Sequence, residues 1–110
     1  MPSDASVSNA FQIFLTQTPG QGEAFMDYAE KLAAASNLDP KTSELAYIAV
    51  LAALRMDSGI PFHVAQARAA GATREEVLSA VLVGLPAAGL GVTQSLPAAI
   101  KALEQRPPGA

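Results

Sequence analysis

The sequence predicts an all-α fold: a single-domain helical bundle of about six helices over residues 1–110 that assembles into a homo-oligomer. Three observations point there. Alanine supplies 23 of the 110 residues and alternating β-branched or aromatic runs are nearly missing, a balance that favours helices with close-packing faces over strands. Start and stop signals recur along the chain at helix-length intervals. Only 15% of the residues are charged while 50% are hydrophobic, against about a quarter charged in ordinary domains. A small chain so poor in charge leaves apolar surface that other subunits must cover.

The elements follow in order. Ala5 to Thr18 reads as a first short helix with Phe11, Phe14 and Leu15 on one side, ended by Pro19-Gly20-Gln21-Gly22. Glu23 to Ser36 is a second helix whose apolar residues Phe25, Tyr28 or Ala29, Leu32 and Ala35 recur every three or four positions, with Asn37 as its stop. Asp39-Pro40 opens a third helix, a capping oxygen followed by a proline whose missing N–H costs nothing there. It runs through Leu45, Ile48, Leu51 and Leu54 to about Met56 and is apolar nearly all round, as befits a central helix or a subunit interface.

Asp57-Ser58-Gly59 breaks the pattern, and Asp57 or Ser58 is placed to cap a fourth helix with Pro61 in its first turn and Ala70-Gly71 at its end. Thr73-Arg74-Glu75-Glu76 is a capping box opening a fifth helix, with Val77, Leu78, Val81, Leu82 and Leu85 as its buried stripe. Pro86 and the glycines at 84, 89 and 91 kink or end it. A last helix runs from about Thr93 to Gln105, followed by a frayed Arg106–Ala110 tail. The Phe and Tyr residues at helical spacing, with Met26 and Met56, read as core material.

Composition also excludes. The net charge is −3 and the seven basic residues are scattered, so no basic stripe exists to displace counterions from nucleic acid. No cysteine is present, which removes disulfides, thiolate nucleophiles and dithiol redox chemistry from these residues. No signal-peptide pattern and no membrane-length apolar run occurs, and a cytoplasmic location is expected.

Few polar groups interrupt the apolar helices. Glu44 and Arg55 fall on one face of the third helix with Ile48, Leu51 and Ala52 between them. His63, the single histidine, shares a helical face with Gln66, Ala67 and Ala70. Glu44 reads either as an exposed first-turn carboxylate or as a buried partner that orients or exchanges a proton with His63. His63 reads either as a satisfied core histidine or as a general acid/base. One His and one Glu do not fill a coordination shell, so no metal is expected. The glycines of GLPAAGLG follow no strand and form no phosphate fingerprint, so no cofactor is expected either. Ser58 is most simply a cap.

Leu38-Asp39-Pro40-Lys41-Thr42-Ser43-Glu44-Leu45, a long apolar helix, a helix-start His63 and Ala70-Gly71-Ala72-Thr73-Arg74-Glu75-Glu76-Val77 follow in order. Together they resemble the carboxymuconolactone decarboxylase family, which includes the alkylhydroperoxidase D-like proteins; the likeness covers about residues 20–104. It implies an all-helical fold assembled as a trimer or hexamer. The hydroperoxidase-like branch carries a Cys-x-x-Cys-x-x-x-His motif with an upstream glutamate in a proton relay. On this chain the histidine falls on His63, the glutamate on Glu44, and the cysteines on Met56 and Gly59. Neither can supply a thiolate, so peroxidase activity is not expected. The likeness then implies a cofactor-independent lyase or isomerase acting on a small organic acid or lactone. His63 and Glu44 would be catalytic and Arg55 would bind a carboxylate. The alternative is a non-catalytic oligomeric ligand-binding or scaffold module of the same fold.

Overall fold

A computed structural model describes residues 6–105, and every regular element among them is helical. Six helices of 8 to 17 residues and one short one are present. They are α1 (Asn9–Gln17), α2 (Pro19–Ala35), α3 (Pro40–Leu54), α4 (Ile60–Ala69), α5 (Arg74–Leu82), α6 (Leu85–Ala88) and α7 (Leu96–Leu103). Two 3-10 turns, Asp57–Gly59 and Leu90–Ser95, precede α4 and α7. The chain divides into two compact units, with the boundary in sequence between Leu38 and Asp39.

The first unit is the α1–α2 hairpin. Ser8 caps α1, its hydroxyl accepting from the Phe11 N–H at 3.2 Å. The expected start at Ala5 lies outside the described residues. Pro19-Gly20-Gln21-Gly22 does not separate the helices as a loop; it forms the first turn of α2. Proline is tolerated at that first position because its N–H would be unpaired anyway. Gly22 is needed for proximity: a Cβ there would stand 3.1 Å from the Leu15 backbone. Phe11, Phe14 and Phe25 meet edge to face with centroids 5.8–6.0 Å apart, the arrangement their quadrupoles favour. Gly22 is nevertheless the one residue of these two helices that is buried.

The second unit holds the core. Ile48, Leu51, Ile60, Val64, Val77, Val81 and Val92 are all buried, each contributing roughly 1.5–3 kcal/mol through removal from water. α3 packs against α4 and α5, and α4 against α7, where the fully buried Ala67 and Ala99 let the backbones approach. Asp39 caps α3, accepting from the Thr42 N–H at 3.4 Å. The capping box of α5 is complete: Thr73 Oγ1 accepts from the Glu76 N–H at 3.0 Å, and Glu76 Oε1 from the Thr73 N–H at 2.9 Å. Lys41 adds an ion pair to Glu76 at 2.8 Å. Gly71 closes α4 with a φ of 98°, a conformation that suits glycine.

Three boundaries differ from the sequence reading. Neither Asp57 nor Ser58 caps α4; its first residue follows Gly59, which offers no side chain. Asp57 is engaged elsewhere, accepting from the Ser95 hydroxyl at 2.6 Å. α5 ends at Leu82, and α7 starts at Leu96 rather than Thr93 because residues 90–95 wind as a 3-10 turn after Gly89, whose φ is 86°. The Arg106–Ala110 tail lies outside the described residues. The aromatic and methionine side chains read as core are also different in kind: Phe25, Met26, Tyr28, Tyr47 and Met56 are all exposed. Helical spacing identifies an apolar face without saying what covers it.

Candidate functional site

Glu44 lies one turn into α3, past its Asp39 cap and Pro40, and His63 lies in the first turn of α4 behind Pro61. Packing of α3 on α4 brings the two together. His63 Nδ1 and Glu44 Oε1 are 2.7 Å apart, and the side chains retain 19% and 26% of their exposure. The pair is shielded without being sealed. A carboxylate partner accepts, which places a hydrogen on Nδ1; in the neutral ring the lone pair is then on Nε2, and in the imidazolium both nitrogens carry hydrogen. Among the described residues nothing hydrogen-bonds Nε2.

Two rings fix the plane of the imidazole. Tyr47 stacks on it at 4.0 Å between centroids and 18° between planes. Phe62 meets it edge-on at 5.2 Å and 87°. Tyr47 was not singled out by the sequence reading, although a signal existed. It follows Glu44 by three residues, and side chains so spaced share a helical face.

Arg55 is not brought to this pair. It follows Glu44 by eleven residues on one helix, so about 16 Å of axis separates them at roughly 1.5 Å per residue. Arg55 ends α3 in the left-handed conformation, φ 60° and ψ 34°. Its Nη1 donates to the Ala53 carbonyl at 2.8 Å, and its guanidinium lies over Gly91, where any Cβ would collide with it. The intervening Ile48, Leu51 and Ala52 are packed core.

An open groove of about 490 Å³ runs between α3 and α5, with Leu45, Ala46, Ala49, Ala80 and Val83 among its lining residues. It includes neither Glu44 nor His63. No group of three His, Cys, Asp or Glu able to hold a metal occurs among the described residues. No helix there is long and apolar enough to cross a membrane.

The profile of the carboxymuconolactone decarboxylase family matches residues 19–105. The chain belongs to that family. No curated protein and no solved structure matches it significantly. Met56 and Gly59, the positions on which the resemblance sets the two cysteines, have different surroundings. Met56 is exposed, and Gly59 sits in the 3-10 turn directly against Leu51. A Cβ at position 59 would stand 3.2 Å from both Leu51 methyl carbons. Leu51 is itself core, 5% exposed, so the room a side chain at 59 would need is occupied.

Proposed function

We propose that the chain is a cofactor-independent lyase or isomerase of the carboxymuconolactone decarboxylase family, acting on a small organic acid or lactone by proton transfer at His63. The observation that carries the reading is the 2.7 Å contact between His63 Nδ1 and Glu44. With Nδ1–H turned to the carboxylate, Nε2 takes a proton from the carbon acid beside the substrate carbonyl and becomes an imidazolium. Glu44 stabilises that cation and holds the ring in one tautomer. Returning the proton to a second carbon gives an isomer. In a decarboxylation no carbon is deprotonated; the carboxylate leaves as carbon dioxide with its bonding pair kept on carbon as an enolate. An imidazolium protonated from solvent then delivers the one proton that enolate needs. Tyr47 holds the imidazole plane while the proton moves. Arg55 has no part in this scheme, because one small acid cannot touch both ends of α3. The reading places the reaction in a homo-oligomer, an assembly that the sparse charge favours.

The test is turnover of a panel of lactones and small dicarboxylates, with deuterium incorporation from solvent followed by NMR. His63→Ala should lose about 10²- to 10⁴-fold, the usual contribution of a general acid/base. Glu44→Gln should lose less and shift the pH profile of the remaining rate. Wild-type rates in His63→Ala for every accepted substrate would overturn the assignment and favour a binding module.

A further inference from the structure

Among the described residues one polar side chain is completely buried, that of Ser95. Its hydroxyl donates to Asp57 Oδ1 at 2.6 Å, across 38 positions of sequence. The two ends of this bond stand on elements that lead to the carboxylate and to the imidazole. Ser95 ends the 3-10 turn 90–95, which packs on α3, the helix of Glu44. Asp57 opens the 3-10 turn that runs directly into α4, and His63 follows it by six residues. α4 lacks the local tie that its neighbours have. Asp39 caps α3 and Thr73 caps α5, whereas no side chain caps α4. Its first turn, which carries His63, is therefore not fixed by a capping bond of its own.

We infer that Ser95 is a positioning residue for His63: its bond to Asp57 sets where α4 starts relative to α3 and so holds the imidazole against Glu44. The start of α4 is then pinned at two places, Asp57 and His63, about 9–12 Å apart at roughly 1.5–2.0 Å of rise per residue. The apolar packing of α4 on α7, through Ala67 and Ala99, is non-directional and selects no single register. A buried hydroxyl bonded to a carboxylate does select one, because any slip leaves both groups without their partner. A slip of 1 Å would also carry Nδ1 out of hydrogen-bond reach of Glu44, from which it now stands 2.7 Å. The consequence for turnover rests on the proton-transfer role proposed for His63; the placement of the ring does not.

His63 is the single histidine, so its ring gives isolated NMR signals, and stacking on Tyr47 at 4.0 Å displaces its carbon-bound protons upfield. In folded Ser95→Ala those signals should move toward their positions in Tyr47→Leu. The ring nitrogens of the neutral imidazole should lose their bias to the Nδ1–H form. For any accepted substrate kcat should fall by about 10²-fold, the cost of a 1 Å misplacement, with KM little changed. Val81→Ala, a truncation of a buried α5 side chain, should lower stability and leave the His63 signals in place. If Ser95→Ala fails to fold, Asp57→Ala makes the same disruption from the acceptor side. Asp57→Asn, which keeps an oxygen acceptor, should retain the wild-type signals. Unmoved His63 signals in the disrupted variant overturn the positioning role, as does an equal displacement in Val81→Ala. Asp57→Asn signals that match those of Asp57→Ala overturn it as well. The signals are read without turnover, so wild-type rates in His63→Ala would remove the proton-transfer role alone.

Discussion

Glu44 and His63 stand 19 positions apart in sequence and 2.7 Å apart in space, and the residues around them explain how. Each is held by the start of its helix: a cap and proline before Glu44, a 3-10 turn and proline before His63. Arg55 is a different case, ending α3 in the left-handed conformation with its guanidinium donating to the Ala53 carbonyl. A non-glycine residue in the left-handed region costs about 1–3 kcal/mol. Arg55→Gly removes that cost together with one hydrogen bond to Ala53. The variant is expected to match or exceed wild-type stability in denaturant titration and to keep full turnover. A large loss of turnover with intact stability would instead assign the guanidinium to substrate binding.

The two 3-10 turns join separate stretches of the second unit through one buried hydroxyl. Ser95, fully buried, donates to Asp57 Oδ1, tying the turn before α4 to the turn before α7. Ser95→Ala leaves that carboxylate without its donor and should cost about 2 kcal/mol, as hydrogen bonds to charged groups do. The denaturation midpoint reads it directly. The same turn carries the second thiol position of the dithiol branch. Gly59→Cys should destabilise the unit by about 1–3 kcal/mol through overpacking against Leu51. Adding Leu51→Val should recover part of the loss. Equal stability of Gly59→Cys and wild type would show that Leu51 yields freely.

Acid should loosen the molecule at a definite place. The Lys41 ammonium, then the Thr73 backbone N–H, hold the Glu76 carboxyl below its usual value near 4.5. Hydrogen bonding from Thr42 holds Asp39 below its usual 3.8. Both values are lower in the folded state, so their stabilisation is complete above the unfolded values and is lost as pH falls through the folded ones. Both groups are solvent-exposed, so the effect is small and falls with added salt. Glu76→Gln should therefore flatten the fall in stability between neutral pH and about pH 3 without altering the neutral-side slope. An unchanged acid limb would remove Glu76 as its cause.

Helix identity was legible because its determinants are local. Asp39-Pro40, Thr73 with Glu76, and Gly71 each act within a turn of themselves, and all three appear where the residues place them. α1 does end before Pro19, but α2 starts at Pro19 rather than Glu23, because proline also suits a helix start and Gly22 a close crossing that depends on a partner helix. Glu44 and His63 could be nominated from the chain as a candidate pair beside other readings. Their contact required the packing of α3 on α4, and the role of Tyr47 emerged only with it. Apolar spacing alone marked Tyr28 and Leu32 as part of a face to be covered. The tertiary structure decided which of those faces its own core covers, because burial is a property of neighbours brought together across the fold and not of any one helix.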